Sequence, residues 1–339
     1  TVSVLYWLRP WIYASTMAVE LQAGYSGCPI KLRKADPEDP AEEGVAYVVE
    51  KTSANLEYNK RLESQTSKLE SYGKAMAGHS HIRCPRVLFR RHDEQGRLVI
   101  GMSFEPHTNC MEYLSTSLVG EVQAFTNVLI NFMKSSVSAS PLAPWSGEVF
   151  SSKLARFKQD AEANTVLGDR LPATLQMFDA LIAFAKSRKE HQLPIGECHG
   201  DLTLSNMLVQ SDKSGGRRIV LIDFQDSYVE SPLADMAKLC QDLVYGWTMR
   251  FLPDDVNVDA ARVYLIMSHM KREMEAAFAD QQWYREYFQM FFAINQLRVL
   301  RYSQTADDRE YLYESAAIEF NKWVSQPGNS AFGTTVPEQ

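Results

Sequence analysis

The chain reads ECHGDLTLSNMLVQ at residues 197–210 and RRIVLIDFQDS at residues 217–227. The first segment contains the pattern H-x-D-x-x-x-x-N, formed by His199, Asp201 and Asn206. Average residue usage makes a chance match to this pattern roughly a per-cent-level event in a chain of this length. The second segment contains the apolar run IVLI, which is typical of a buried strand and ends in an aspartate. Together the segments predict a loop between two short strands that brings these polar side chains together.

These residue types suit phosphoryl transfer, in which the protein mainly positions the reactants and neutralises charge. Asp201 is predicted to accept the proton of an attacking hydroxyl group or to orient that group. Asn206 is predicted to supply a neutral oxygen to Mg²⁺, and Asp223 an anionic one, because Mg²⁺ prefers such hard oxygen ligands. His199 is predicted to brace the loop by hydrogen bonding without titrating in catalysis. The alternatives are surface or capping carboxylates for Asp201 and Asp223, a turn residue for Asn206, and a catalytic role for His199.

The motif resembles that of the aminoglycoside phosphotransferase and choline kinase superfamily, which are small-molecule kinases with a protein-kinase-like fold. Gly200 follows the histidine where protein kinases carry arginine, and IDFQD lacks the glycine of the protein-kinase D-F-G motif. SPLADMAKL at residues 231–239 resembles the next acidic motif of the family, which implies that Asp235 braces the catalytic loop. The likeness is specific from about residue 197 to residue 243. It is nearest to bacterial phosphotransferases of sugar and surface-polysaccharide metabolism.

The resemblance also implies a nucleotide site in the N-terminal part of the chain. Lys51, at the end of YVVEK, matches the lysine that holds the α- and β-phosphates. Its partner is predicted to be Glu63, with Glu57 and Glu70 as alternatives. The other implied nucleotide contacts come from a covering loop and a hinge, and they are Gly24, Ser26, Gly27, Phe104 and Glu105. A solvated strand end for Lys51 and a plain hairpin turn for the glycines are the alternative interpretations.

Two kinds of pattern divide the chain near residue 104. Short strands separated by turns, together with a helix over 53–76, come before it, and helical spacing dominates after it. Helices are predicted over 111–135, 149–163, 171–189, 232–250 and 259–304. This pattern predicts an α+β fold with two lobes, and the resemblance implies that the fold is like that of a protein kinase. The resemblance also implies that a β-rich lobe over 1–103 covers the nucleotide, and that a mainly helical lobe over 104–339 carries the catalytic loop 197–226 and the acceptor site.

The composition of the chain indicates which kinds of binding partner and which cellular compartment are expected. The formal net charge is −7 and no long run of Lys and Arg occurs, which disfavours nucleic acid. The five cysteines are scattered and never spaced C-x-x-C, which favours reduced thiols in the cytoplasm over a disulfide framework or a zinc site. The apolar start of the chain is interrupted by Arg9 and Pro10 and is too short to span a bilayer, so no membrane insertion is expected. Whether residues precede Thr1 stays open.

The acceptor is expected to be a small, sugar-like molecule. Aromatic rings and charged groups suit such ligands, and the candidates near or after the catalytic loop are Asp226, Tyr245, Trp247, Arg250, Arg298 and Arg301. Ordinary helix packing is the alternative for these residues. The aromatic residues between 283 and 292 have a spacing that predicts core.

The predicted function is Mg²⁺-dependent transfer of the γ-phosphoryl group of ATP to a hydroxyl group of a sugar or amino sugar. A kinase of aminoglycosides or choline-like amines, a catalytically silent binding module and a protein kinase are the alternatives. Acceptor identity, the choice between ATP and GTP, and oligomeric state do not follow from the sequence.

Overall fold

The computed structural model of the chain describes residues 19–21, 27–211, 217–250, 252 and 256–338. The chain divides into two compact units. The first unit comprises Thr1–Phe132, His199–Ser227 and Gly246–His269, and the second comprises Met133–Cys198, Tyr228–Tyr245 and Met270–Gln339. The N-terminal strands and the catalytic loop therefore belong to the same unit. The predicted lobe boundary between residues 103 and 104 stays a prediction.

Both strands and helices are numbered in chain order. The strands are β1 (Val19–Leu21), β2 (Ile30–Lys34), β3 (Tyr47–Thr52), β4 (Ile82–Arg83), β5 (Val87–His92), β6 (Leu98–Ser103), β7 (Thr108–Asn109), β8 (Leu142–Ser146), β9 (Glu190–Pro194), β10 (Met207–Ser211) and β11 (Arg217–Leu221). The helices are α1 (Asn59–Ala75), α2 (Cys110–Thr116), α3 (Val119–Ser138), α4 (Gly147–Glu162), α5 (Leu171–Lys186), α6 (Pro232–Tyr245), α7 (Trp247–Arg250), α8 (Ala260–Phe278), α9 (Gln282–Val299) and α10 (Ala306–Val324). The predicted α+β class is confirmed. None of the helices in the described part of the chain is long and apolar enough to cross a bilayer.

An antiparallel sheet of the first unit has the strand order β1-β2-β3-β6-β5. Leu98 and Ile100, two residues apart on β6, point to the same face and pack against Leu62 of α1. Each such buried side chain contributes about 1.5–3 kcal/mol of hydrophobic free energy. This packing fixes α1 to the sheet whose strand β3 carries Lys51.

A second sheet of the first unit has the order β4-β11-β10-β7. Strands β10 and β11 form an antiparallel hairpin in which Met207 lies opposite Leu221. The apolar residues 219–222 are buried, as predicted. Because antiparallel pairing sets the beginning of β10 beside the end of β11, the loop before β10 and the loop after β11 emerge at the same end of the hairpin. The topology thus brings the two motif segments together.

In the described part of the chain, the second unit is built of helices and a pair of strands that is separated in sequence by two of these helices. Strand β8 pairs antiparallel with β9, α4 packs on α5, and α9 packs against α6 and α10. The aromatic side chains of α9 that were predicted to form core are all buried, namely Trp283, Tyr284, Tyr287, Phe288, Phe291 and Phe292. That prediction is confirmed.

The predictions of continuous helices over 111–135, 232–250 and 259–304 are wrong, because each segment is interrupted. The first divides into α2 and α3, and the last into α8 and α9 followed by a short turn. Between α6 and α7, Gly246 has φ +63°, a left-handed conformation that ends the helix. A Cβ on Gly246 would lie 2.6 Å from the hydroxyl oxygen of Tyr264, so the glycine also permits this close approach.

Candidate active site

His199 connects the two loops at the end of the β10–β11 hairpin. Its Nε2–H donates to the carbonyl oxygen of Ile222 at 2.8 Å, and its Nδ1 accepts from the backbone N–H of Asp201 at 3.2 Å. Because Nδ1 accepts a hydrogen bond, the ring is the neutral tautomer that is protonated at Nε2. The ring also packs on Phe224, with 4.2 Å between the ring centroids. This geometry fits the predicted bracing role.

Burial favours the neutral imidazole and lowers the pKa of His199 to about 4. The pKa of a histidine in an unfolded chain is near 6.5. Between about pH 4 and about pH 6.5, His199 is therefore protonated in the unfolded chain and neutral in the folded protein. The contribution of His199 to the free energy of unfolding is therefore fully present above about pH 6.5. It falls by about 3 kcal/mol as the pH drops through this window. We expect His199→Gln to remove this pH dependence.

Urea unfolding of the wild type and of His199→Gln, near pH 5 and near pH 7, measures the difference. The wild type should lose more free energy of unfolding than the variant on acidification. His92→Gln, at an exposed position of β5, is the control and should keep the wild-type slope. Equal slopes for the wild type and His199→Gln would contradict the prediction.

Asn206 and Asp201 are both buried and hydrogen-bonded to each other. Asn206 Nδ2 donates to the backbone oxygen of Asp201 at 2.8 Å and to its Oδ2 at 3.1 Å. These bonds fix the orientation of the amide. Its Oδ1 is buried and receives no hydrogen bond from any described residue. Leaving a buried acceptor unsatisfied costs about 1–3 kcal/mol, which a ligand at that oxygen would offset.

Asp223 follows β11 directly and has a left-handed backbone with φ 60°. For a residue other than glycine this conformation costs about 1–3 kcal/mol, and such strain is concentrated at functional sites. Its Oδ1 accepts a hydrogen bond from Lys51 Nζ at 2.7 Å, with only 11% of the lysine side chain and 8% of the aspartate side chain exposed. Burial lowers the pKa of Lys51, but the Asp223 carboxylate outweighs burial and leaves this pKa above its ordinary value. The strand lysine and the loop aspartate therefore meet in one site.

The oxygens of Asn206 and Asp223 fit a magnesium ion by their chemistry. Mg²⁺ is usually held by one or two protein oxygens together with phosphate oxygens and water. Asn206 offers the buried Oδ1 that lacks a donor, and Asp223 offers a carboxylate. The two residues are also held close along the backbone, because the N–H of Ile222 donates to the carbonyl oxygen of Asn206 at 3.1 Å.

Gly200 allows the two loops to approach each other. It has φ +84°, and a Cβ at this position would lie 2.1 Å from the backbone oxygen of Gln225. The loops meet there through a hydrogen bond from the N–H of Gln225 to the carbonyl oxygen of His199, at 3.1 Å. A side chain at position 200 must therefore push the loops apart.

We expect Gly200→Ala to lower the free energy of unfolding by about 3 kcal/mol or more, from backbone strain plus the clash. Displacement of the catalytic loop should also reduce turnover about 10²-fold. Gly44→Ala is the matched control, since Gly44 has φ +78° but nothing within 4 Å of its Cβ position. It should cost only about 1–2 kcal/mol and leave turnover unchanged. Equal effects of the two substitutions in urea unfolding and rate measurements would contradict the clash.

The sequence model of the phosphotransferase enzyme family matches residues 72–267, which is more than half of the chain. The chain belongs to this phosphotransferase family. Membership confirms the predicted superfamily and the predicted enzyme class. A comparison with curated proteins gives no match.

Solved structures similar to this phosphotransferase share its fold. One is a thermostable mutant of aminoglycoside phosphotransferase APH(4)-Ia in a ternary complex with ADP and hygromycin B, with 14% identity, a TM-score of 0.58, and coverage of 90% of this chain and 93% of that one. A protein of Haemophilus somnus 129PT described as a fructosamine-3-kinase has 14% identity and a TM-score of 0.55, with 91% of each chain covered. The GDP complex of a mutant aminoglycoside 2'-phosphotransferase-IIIa has 14% identity, a TM-score of 0.50, and coverage of 92% and 93%. At these identities the likeness establishes the fold alone, and it confirms the predicted kinase-like architecture.

In the phosphotransferase structure, the predicted pair between Lys51 and a glutamate of α1 is not present. Glu63 accepts from Arg90 at 3.1 Å, and Glu70 accepts from the same guanidinium at 2.7 Å. Arg90 of β5 can hold both carboxylates because its guanidinium presents several donors. Glu57 is exposed. The predicted role of Glu63 is thus corrected: its described ion pair is with Arg90, and Lys51 pairs with the loop aspartate.

The predicted nucleotide-covering and hinge residues are only partly described. Gly24 and Ser26 lie outside the described residues, and Gly27 is exposed with φ +66°. Phe104 is buried and packs edge-on against Tyr47, with 6.2 Å between the ring centroids. Glu105 accepts a hydrogen bond from the hydroxyl group of Ser103, two residues earlier, at 3.1 Å. Their contacts with nucleotide stay predictions.

The predicted acceptor residues fall in both units. In the first unit, Asp226 accepts from Ser64 Oγ at 2.9 Å, Trp247 is buried, and Arg250 is exposed at the end of α7. In the second unit, Arg298 lies over the ring of Tyr228 at 5.6 Å.

Three further predicted residues belong to the second unit, namely Arg301, Tyr245 and Asp235. Arg301 forms an ion pair with Asp160 at 2.7 Å. Tyr245 donates to Glu319 at 2.5 Å, so this hydroxyl group and the Arg301 guanidinium both have partners inside their own unit. Asp235 is buried in the first turn of α6. The acceptor roles and the bracing role of Asp235 stay predictions.

Sequence reasoning missed three residues beside the site. Gln65 Nε2 donates to Gln225 Oε1 at 2.6 Å, and Lys68 Nζ donates to the backbone oxygen of Gln225 at 2.8 Å. For Gln65 and Lys68 the available signal was their spacing of three residues, which places both on one face of α1.

Proposed function

We propose that this phosphotransferase is a Mg²⁺-dependent kinase that transfers the γ-phosphoryl group of ATP to a hydroxyl group of a sugar or amino sugar. The observation that carries the proposal is the grouping of Asp201, Asn206 and Asp223 at one end of a hairpin. One carboxylate is held by a buried amide whose own oxygen lacks a donor, and the other carboxylate is paired with Lys51. These are the groups that phosphoryl transfer requires.

In the proposed reaction, Asp201 accepts the proton of the acceptor hydroxyl group as that oxygen attacks the γ-phosphorus. The bond between the γ-phosphorus and its bridging oxygen to the β-phosphate breaks, and ADP leaves. Asn206 Nδ2 holds Oδ2 of Asp201, so the carboxylate keeps one orientation. Lys51 supplies positive charge for the phosphates. When bound, Mg²⁺ would be held by Asn206 Oδ1 and Asp223 and would neutralise phosphate charge.

The proposed phosphoryl donor is ATP and the proposed acceptor is a sugar or amino sugar. Among the structures with a similar fold, one holds ADP with hygromycin B and another holds GDP. This supports ATP as the phosphoryl donor, with GTP as the alternative, and it makes an aminoglycoside the alternative acceptor. The five cysteines carry reduced thiols, which supports the proposal of a cytoplasmic location. The complete set of reacting side chains argues against a catalytically silent binding module.

A screen for acceptor-dependent ADP release tests the proposal. Sugars, amino sugars, aminoglycosides and choline are each supplied with ATP and Mg²⁺, and Asp201→Asn is assayed in parallel to exclude contaminating kinases. We expect release with sugars or amino sugars to exceed release with the other acceptors. Highest release with aminoglycosides would establish the alternative acceptor, and no release by any acceptor with either ATP or GTP would contradict the proposal.

A further inference from the structure

Helix α1 contacts the loop after β11 through side chains on one face. Their spacing of three or four residues places them on that face, and they are Arg61, Ser64, Gln65 and Lys68. They reach Gln225 and Asp226, the second and third residues after Asp223. Helix α1 therefore forms hydrogen bonds to the loop that carries Asp223, although none of its glutamates pairs with Lys51.

The central contact is a chain of two amides that ends on a carboxylate. Gln65 Nε2 donates to Gln225 Oε1 at 2.6 Å, and Gln225 Nε2 donates to Asp223 Oδ1 at 3.4 Å. Both glutamines are buried, with 4% and 6% of their surface exposed. An ionised carboxylate only accepts hydrogen bonds, so Gln225 must present its NH₂ group to Asp223 and its oxygen to Gln65. The carboxylate of Asp223 thus sets the direction of the chain, together with Arg61, whose guanidinium donates to Gln225 Oε1 at 3.3 Å.

The backbone of Gln225 is held as firmly as its side chain. Its N–H donates to the carbonyl oxygen of His199 at 3.1 Å, and its carbonyl oxygen accepts from Lys68 Nζ at 2.8 Å. Gln225 is therefore bonded to the catalytic loop, to α1 and to Asp223.

The amide donor and the lysine donor act differently on Asp223. Lys51 and Gln225 both donate to Oδ1. The ammonium group neutralises the carboxylate, which opposes cation binding, whereas a neutral amide orients the carboxylate and leaves its charge in place. If Lys51 contacted a phosphate group instead of Asp223, Gln225 would still hold the carboxylate in one orientation, and the carboxylate would keep its charge for a bound cation.

We propose that Gln225 is a positioning residue that orients Asp223 for Mg²⁺-nucleotide, and that Gln65 is its required partner on α1. The proposal rests on the proposed function, since it assigns Asp223 to the metal. Residues that orient metal ligands typically change metal affinity 10- to 100-fold when they are removed. The buried amide pair takes the place of the predicted lysine–glutamate pair as the link between α1 and the site.

Calorimetric titration of Mg²⁺ with the nucleotide analogue AMP-PNP tests the proposal without catalysis. We expect Gln225→Ala and Gln65→Leu to raise the Mg²⁺ concentration at half-maximal AMP-PNP binding by about 10- to 100-fold. Gln95→Ala, at an exposed turn of the same unit, is the control and should match the wild type. Melting temperatures of all variants identify any that fail to fold.

Gln65→Glu distinguishes two possible roles of residue 65: an amide donor to Gln225, or a carboxylate that pairs with a lysine. A carboxylate at position 65 has no hydrogen to donate, so Gln225 must turn its NH₂ group toward residue 65 and its oxygen toward Asp223. We therefore expect Gln65→Glu to weaken Mg²⁺-dependent binding at least as much as Gln65→Leu. Wild-type Mg²⁺ dependence in Gln225→Ala and Gln65→Glu would overturn this proposal alone. Absence of Mg²⁺-dependent binding in the wild type would overturn the proposed function and this proposal together.

Discussion

Asp201→Asn should reduce turnover by about 10²- to 10⁴-fold, the range typical of losing a general base. The substitution keeps the size of the side chain and an oxygen that can accept from Asn206 Nδ2, which donates to Asp201 Oδ2 at 3.1 Å. What it removes is the ability to take a proton from the acceptor hydroxyl group. The affinity for Mg²⁺-nucleotide should stay within a few-fold of the wild type, because Asp201 is not one of the residues assigned to the metal or the phosphates.

Initial rates of ADP release measure the first effect, and calorimetric titration with Mg²⁺-AMP-PNP measures the second. Asp179→Asn is the matched control, because Asp179 forms a surface ion pair with Lys158 and 62% of its side chain is exposed. It should leave both quantities unchanged. Near wild-type turnover in Asp201→Asn would remove this residue from its assigned role.

Asp223→Asn should have the second large effect, a loss of Mg²⁺-nucleotide affinity of at least about 10²-fold. Asparagine is chosen over alanine because it tolerates the left-handed backbone that Asp223 adopts with φ 60°. The substitution therefore tests the charge and not the backbone strain. It also leaves the largely buried Lys51 ammonium group without its carboxylate, which should cost about 3 kcal/mol in the free energy of unfolding.

Titration calorimetry and urea unfolding measure these two effects separately. The pKa of Lys51 should also fall in Asp223→Asn, because burial lowers it and the carboxylate that opposed burial is gone. Unchanged Mg²⁺-nucleotide affinity would count against the metal assignment of Asp223, even if stability fell as expected.

Local patterns made much of the catalytic region predictable from the sequence. The buried strand ahead of Asp223 follows from four consecutive apolar residues, and the hairpin register then places the two loops together. Lys51, next to the last residue of β3, was identified through the family resemblance of the segment YVVEK. In each case the deciding information lies within a few residues along the chain.

Pairings between residues that are far apart in the sequence could not be predicted, because local patterns do not specify them. Glu63 is bonded to Arg90 of β5, 27 residues away, and nothing in the spacing of the α1 glutamates shows which strand residue will pair with them. The pairing of β8 with β9 was missed because LAPWS and EHQLP alternate poorly and contain proline, and because α4 and α5 separate the two strands in the sequence. Gln225 carries no charge, so only the contact with Gln65 reveals its place beside Asp223.

The central claim is that this chain moves a phosphoryl group from a nucleotide to an alcohol by means of Asp201. Phosphorus NMR of a reaction containing ATP, Mg²⁺ and the best acceptor from the screen tests it most directly. The account predicts a new phosphomonoester resonance that grows in step with ADP for the wild type and is lost with Asp201→Asn. Release of the γ-phosphate only as inorganic phosphate, or an equal rate of phosphomonoester formation by the two proteins, would contradict it.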